Sequence, residues 1–295
     1  MNPLFKFTFT ICCLILISCD NEKESIPSYL HITKCNLTTN YLVEGANTHD
    51  ITDVKIFANG TEIGTFEVPV TIPILAKGNV QIIVTPNIKE NLNSNNRKYY
   101  KPYLQYTQTF NLKELQVDTI KPVFTYRSNT TFVWKEDFET GISLMKSGSN
   151  NSSDSLIRIP VSTTGVNQNF PNSSYCGYIN ISPKDTFVVF ERSNINYFNL
   201  PVQTDVYVEL DIKSNVNVQV GIYTDDGFTI SQNPVLIVYP TNDNWKKVYV
   251  NLKPEIGGNN INTKTKLFFG LYKDQGDNTT NPKVYLDNIK LVYVN

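Results

Sequence analysis

Four stretches in the second half of the chain place apolar side chains at every second position, and no other pattern restricts the fold as tightly. Val206, Val208, Leu210 and Ile212 fall on one face, with Tyr207, Glu209, Asp211 and Lys213 on the other. Val216, Val218, Val220 and Ile222 repeat the pattern after Ser214-Asn215, and Val248, Val250 and Leu252, then Leu267, Phe269 and Leu271, repeat it again. A period of two buries one face of a strand, so these stretches specify two sheets closing on a shared core. No dozen residues show a 3.6-residue period, and the aromatic content of 12% is dominated by Tyr and Phe, which suit pleated surfaces. The chain is therefore read as all-β. Its 295 residues suit two domains: one over 28–118, a linker over 119–130 where Pro122 interrupts any ladder, and a jelly roll over 131–295.

The first domain resembles a small Ig-like β-sandwich. Its clearest unit is Val54-Lys55-Ile56-Phe57-Ala58, Asn59-Gly60, then Thr61-Glu62-Ile63-Gly64-Thr65-Phe66. Asn-Gly accepts the positive φ angles of a type I′ turn, which predicts a tight hairpin. A second hairpin is expected between 71–75 and 80–85, turned by Lys77-Gly78-Asn79. Residues 87–98 show no regular pattern and read as a solvated loop or, functionally, a recognition loop. Tyr99, Tyr100, Tyr103 and Tyr106 follow it; tyrosines at a strand start usually bury the ring and keep the hydroxyl on a polar partner. Cys35 and Cys176 fall in different domains and read as small buried hydrophobes rather than a bridge.

The second domain carries a family resemblance. Glu136-Asp137-Phe138-Glu139-Thr140-Gly141 opens it, Trp245-Lys246-Lys247-Val248-Tyr249-Val250-Asn251-Leu252 lies near its end, and Val284-Tyr285-Leu286-Asp287-Asn288-Ile289-Lys290-Leu291 closes it. In that order these resemble the galactose-binding-like jelly rolls of many carbohydrate-binding modules. The resemblance implies a structural calcium held by Asp137, Glu139 and Asp287. Asn288 stands where a second Asp is frequent, and no tryptophan follows Gly141.

At the other end, Lys6 precedes an apolar run over 7–17 that ends in Leu16-Ile17-Ser18-Cys19. A charged start and a short greasy middle make a secretory signal too short to span a bilayer. Leu-Ile-Ser-Cys resembles the lipobox of bacterial lipoproteins, which implies cleavage after residue 18 and acylation of Cys19. Asp20, Glu22 and Glu24, within a tether over 19–27, resemble the acidic export signal of Bacteroidetes lipoproteins, implying display at the outer-membrane surface. Removing Lys6 with the signal leaves 25 basic against 27 acidic residues. That balance offers no basic patch for nucleic acid.

Catalytic patterns are sparse. His31 and His49 both lie in the first domain, leaving no histidine for a triad or metal cage in the second. Glu209-Leu210-Asp211-Ile212 resembles the start of the catalytic strand of laminarinase-like glycoside hydrolases, but Lys213 and Ser214 stand where the second Glu is required. A non-catalytic binding role is expected, with two classes of partner. One is a glycan, stacking on Tyr223, Phe228, Tyr239 and Tyr272 and bonding to Asp225 and Asp226. The other is an outer-membrane protein complex for secretion, gliding or uptake. Asp225-Asp226-Gly227 also reads as an ordinary hairpin turn, and Trp134 and Trp245 as structural.

Overall fold

A computed structural model describes residues 25–146, 155–164, 173–180, 187–192, 197–273 and 281–295. It is all-β, with two sandwiches in sequence. The first contains β1 (Ser28–Ile32), β2 (Asn36–Leu37), β3 (Asp53–Ala58), β4 (Thr61–Glu67), β5 (Val70–Ile74), β6 (Gly78–Lys89), β7 (Arg97–Tyr99), β8 (Tyr106–Leu112), β9 (Val117–Ile120) and β10 (Val123–Phe124). One layer has the order β5-β1-β9 beside a β10-β2 pair, and the other runs β4-β3-β6-β7 with β8 also on β6. Leu30, Ile32, Ile72 and Ile74 from one layer meet Val54, Ile56, Ile82 and Val84 from the other, all at or near zero exposure.

The Asn59-Gly60 hairpin forms as its chemistry dictates: β3 and β4 pair antiparallel, with φ of 48° at Asn59 and 81° at Gly60. The second expected hairpin does not form. β5 pairs with β1, while β6 pairs with β3, β7 and β8. Turn residues signal a reversal without saying which sheet receives the next strand, and here Gly78, at φ 76°, leads the chain across the core. The segment 119–130 is not a free linker. The end of β9 lies parallel to β1, β10 lies parallel to β2, and Tyr126 is buried against Tyr103.

The second sandwich contains β11 (Thr130–Glu136), β12 (Leu144–Lys146), β13 (Ser155–Pro160), β14 (Tyr175–Asn180), β15 (Phe187–Arg192), β16 (Phe198–Asn199), β17 (Val206–Ser214), β18 (Asn217–Asp225), β19 (Ile230–Val238), β20 (Lys246–Asn251), β21 (Lys264–Tyr272) and β22 (Lys283–Val294). Its inner sheet runs β13-β14-β22-β17-β20 with β11 on β22, and its outer sheet runs β12-β15-β21-β18-β19 with β16 on β21. The alternating residues of β17, β18, β20 and β21 interdigitate as one core between them.

The other face of the inner sheet departs from expectation. All nine residues of β17 are buried, including Tyr207, Glu209, Asp211 and Lys213. Tyr207, Tyr249 and Val292 belong to the apolar cluster of the first sandwich, so the inner sheet is packed on both faces. Alternation reports the greasier face; it is silent when the polar face is covered by another layer of the same chain.

Candidate functional site

What covers that face is a ring of hydroxyls around one carboxylate. Glu209, with no exposure, accepts hydrogen bonds from the Tyr100 hydroxyl at 2.6 Å and from the Tyr126 hydroxyl at 2.8 and 2.9 Å. Lys247 Nζ lies 3.4 Å away, and Lys290 Nζ donates to the Ala46 carbonyl at 2.6 Å and to Tyr126 at 3.1 Å. Burial alone drives a carboxyl up, but Lys247, Lys290 and the tyrosine hydroxyls outweigh it and hold Glu209 below its ordinary value. Burial, and then Glu209, push Tyr100, Tyr103, Tyr126 and Tyr249 well above theirs, so the phenols stay protonated as donors. Burial drives Lys290 down to about 8 against the pull of Glu209. The residue that resembled a glycosidase nucleophile is thus sealed between the domains as a clamp.

The stretch 87–98 completes this clamp instead of forming a recognition loop. β6 runs on to Lys89, a short 3-10 turn covers Glu90–Leu92, and β7 returns. Buried Glu90 accepts from Tyr207 at 2.7 Å and from Asn251 at 2.9 Å, both across the junction.

The opposite, outer sheet carries the candidate binding strip. On β18 the core takes Val218, Val220 and Ile222, leaving Asn217, Gln219, Gly221 and Tyr223 on the outward face. On β21 the core takes Leu267, Phe269 and Leu271, leaving Lys266, Phe268, Gly270 and Tyr272 on the other face, where the first three are buried and Tyr272 is half-buried. The register pairs Tyr223 with Lys266, Gly221 with Phe268, Gln219 with Gly270 and Asn217 with Tyr272. Phe268 lies over Gly221, where an added Cβ collides with the ring and comes within 2.7 Å of the Asn233 carbonyl oxygen. Tyr223 tilts against Phe268 at 5.0 Å between ring centroids. Lys266, 7% exposed, holds its ammonium 5.3 Å from the Tyr223 ring and 5.2 Å from the Tyr197 ring, a cation between two π faces.

These contacts divide the six sequence candidates into two groups. Tyr223, Asp225, Asp226 and Phe228 gather at the β18–β19 hairpin. Tyr239 follows Val238, whose partner is Val218, and so lies with Tyr272 at the far end of the strip. From Tyr223 to Asn217 the strip runs about 20 Å at roughly 3.3 Å per residue. Phe228 is 98% exposed and Tyr239 66%. Asp225 and Asp226 behave as the turn reading said: Asp225 accepts from the Gly227 amide at 2.8 Å, and Asp226 from the Phe228 and Thr229 amides at 2.8 and 2.7 Å. Those two amides, Thr229 first, hold the Asp226 carboxyl below its usual range. Sequence reasoning missed Tyr197, Lys266 and Phe268. The even positions of 264–272 carried the signal, since they alternate with the core residues already recognised.

The expected calcium residues lie where the two sandwiches meet the opening strand. Asp137 accepts from the Glu139 amide at 3.1 Å and from the Tyr41 hydroxyl at 2.9 Å, and Glu139 accepts from the Ser174 and Tyr175 amides at 2.6 and 3.0 Å. Asp287, fully buried, is driven up to about 8 by burial and then by Asp211. Among the described residues no three Asp, Glu, His or Cys side chains stand as a ready metal cage. Asp287 Oδ2 and Asn288 Oδ1 are nevertheless buried without a hydrogen-bond partner. Cys35 and Cys176 are free, buried thiols that burial pushes up to about 12. Cys19 and the residues before and just after it lie outside the described residues.

The fold and site define an all-β protein of two fused sandwiches with an aromatic strip on its outer sheet. No protein-family model matches the chain, and no curated protein does. Similar solved structures include the family 11 carbohydrate-binding module of a cellulosomal cellulase of Clostridium thermocellum, 14% identical over 55% of this chain and 93% of that chain, with a TM-score of 0.37. A carbohydrate-binding module of the β-sandwich superfamily is 14% identical over 81% of this chain and 84% of that chain, TM-score 0.35. A Stig cyclase from Fischerella sp. TAU is 12% identical over 54% and 88%, TM-score 0.36. Sugar-binding modules and a cyclase share the same degree of likeness, which therefore assigns no activity.

Proposed function

We propose that this chain is a non-catalytic glycan-binding protein of the bacterial cell envelope, using the outward face of β18 and β21 as its binding strip. The observation that carries this reading is the Tyr197–Lys266–Tyr223 stack at one end of a strip with Gly221 and Gly270 in its middle and Tyr272 at its other end. Rings present apolar platforms for the C–H faces of sugars, and the half-buried Gln219 is placed to hydrogen-bond hydroxyls. Tyr223, Gln219 and Tyr272 keep partial exposure along about 20 Å, a span that suits several sugar residues side by side, so the proposed ligand class is a polysaccharide chain. The lipobox supports an acylated Cys19, the acidic tether supports surface display, and the Ig-like first sandwich acts as the spacer that carries the strip off the membrane.

A structural calcium is part of this proposal: among the described residues the carboxylates do not stand as a ready cage, but two buried oxygens beside them lack a hydrogen-bond partner. Asp287 and Asn288 hold buried oxygens in need of a partner, and Asp137 and Glu139 add carboxylates of the hard type that Ca²⁺ prefers among its six to eight ligands. When bound, the ion supplies structural cross-linking between the opening and closing strands. The binding proposal is tested by retention of the full chain on insoluble polysaccharides, compared with Tyr223→Ala. Retention lost on that substitution supports the strip; retention unchanged by it, or absent from every polysaccharide tried, sinks it.

A further inference from the structure

A cleft of about 850 Å³ opens at the junction of the two sandwiches, away from the outer-sheet strip. The first sandwich lines it with the strand β2 and the turn around His49, and the second with Asp211 and the segment that leads into β20. Its volume lies within the range of about 300–1,000 Å³ typical of small-molecule sites.

The chemistry of the walls narrows the ligand. Asp211 is 1% exposed; its Oδ2 accepts from Thr48 at 2.7 Å and from Asn288 at 2.9 Å, while its Oδ1 has no hydrogen bond and lies 3.8 Å from Lys247 Nζ. A buried carboxylate oxygen without a donor favours a ligand that brings one. His49 accepts the Ile51 amide on Nδ1 at 3.3 Å, which places its ring proton on Nε2. Burial, then Lys247, lower the ring to about 4, so it is neutral near pH 7. Asn36 and Asn244 add amides, and the half-buried Trp245 adds a flat apolar ring.

Charge decides between ligand classes. Lys89, Lys246 and Lys247 face Asp50 and Asp211 in the lining, with Glu209 directly behind Lys247. Lys247 is already held by Glu209 and by Thr48 at 3.2 Å. An anionic ligand finds no free ammonium beside Asp211, since Lys247, 3.8 Å from its Oδ1, is already shared with Glu209. A neutral, hydroxyl-rich ring meets an acceptor in Asp211, amides that both donate and accept, and an aromatic face.

We propose that the domain-junction cleft is a second saccharide site, separate from the outer strip, that takes a single hexopyranose or the end of a glycan chain against Trp245 with a hydroxyl donated to Asp211. The outer strip grips a chain along its length, whereas the cleft reads one unit. The site exists only in the fused pair of sandwiches, because neither alone supplies both walls.

The chain contains two tryptophans, so Trp134→Phe leaves Trp245 as sole reporter. The full chain in this background is titrated with methyl β-glucopyranoside, methyl β-galactopyranoside, methyl α-mannopyranoside and cellobiose while tryptophan emission is followed. Isothermal titration of the unsubstituted chain provides the parallel measurement should Trp134→Phe not fold. At least one of these sugars produces a saturable response with a dissociation constant of about 1 mM or tighter. Asn244→Ala weakens it about tenfold, as does Asp211→Asn where that variant folds, and Tyr223→Ala leaves it within twofold. No response to any of the four overturns the proposal, as does a response that Tyr223→Ala removes, since that signal belongs to the outer strip. Loss of polysaccharide retention in Tyr223→Ala with the Trp245 response intact separates the two sites.

Discussion

Tyr100→Phe tests whether the two sandwiches are one thermodynamic unit. The substitution deletes a single oxygen, the one that donates to Glu209 Oε1 at 2.6 Å, and leaves the ring packed edge-on against Tyr103 and Tyr207. A hydrogen bond to a charged group contributes about 1.5–3 kcal/mol. Glu209 keeps both bonds from Tyr126 and its pairing with Lys247, so the lower half of that range, about 2 kcal/mol, is expected. Glu209→Gln goes further, leaving Lys247 and Lys290 buried with less opposing charge, and a broken buried pair costs about 3–5 kcal/mol. The assay exploits a convenient asymmetry. Trp134 and Trp245 both lie in the second sandwich, so tryptophan emission during urea unfolding reports that sandwich alone. Tyr100 lies in the first. The emission midpoint falls by the full cost in Tyr100→Phe and by more in Glu209→Gln if the junction couples the two. An emission midpoint shifted by under about 0.5 kcal/mol, while tyrosine circular dichroism shifts, refutes the coupling.

Further perturbations address separate parts of the molecule. His49 titrates near 4 in the fold against 6.5 in the unfolded chain, so the unfolded state takes up the proton first and stability falls as pH drops from about 6.5 towards 4. His49→Gln flattens that slope, by at most about 3 kcal/mol, and equal slopes in the two proteins disprove the assignment. Gly221→Ala forces a methyl into Phe268 and the Asn233 carbonyl and is expected to cost about 1–3 kcal/mol; an unchanged melting temperature contradicts that packing. Chelation of calcium lowers the melting temperature of the unmodified chain if Asp287 and its neighbours hold the ion, and an identical melt with and without chelator removes calcium from the account. Cys19→Ala releases the protein from membranes, and continued membrane association rejects the lipid anchor.

The sequence pattern located the strands well because the facing sides of both sheets of the second sandwich form its apolar core, and a face so buried cannot avoid a period of two. It located the Asn59-Gly60 turn because few other dipeptides accept those φ angles. It failed where one residue serves two layers. Glu209, Asp211 and Lys290 look like solvent-facing charges on alternating strands, and nothing local says that Tyr100 and Tyr126, 109 and 83 residues away from Glu209, will cover them. The segment 119–130 looked like a linker because its strands are only four and two residues long, and the two parallel pairings it makes are not local. Half of the candidate strip was legible for the same reason as the core. Tyr223 and Tyr272 stood out as aromatics between core positions, whereas Lys266 reads as an ordinary surface lysine until Tyr197 is brought to its other side.

The clamp also bears on how the protein uses its binding strip. A flexible joint lets a binding domain reorient freely, and each bound chain then forfeits that freedom. Here Glu209, Glu90 and Lys290 bond across the junction with donors and acceptors held at 2.6–3.1 Å, so the strip keeps a fixed orientation relative to the first sandwich. Orientation fixed before binding costs nothing at the moment of binding, which is the general advantage of preorganisation. Loosening the junction with Glu209→Gln should therefore weaken retention on a dense polysaccharide more than it weakens binding of a short soluble oligosaccharide. A soluble ligand tumbles to meet the strip, whereas a surface-bound chain cannot. Equal weakening for both ligands argues that the junction stabilises the fold without orienting the site.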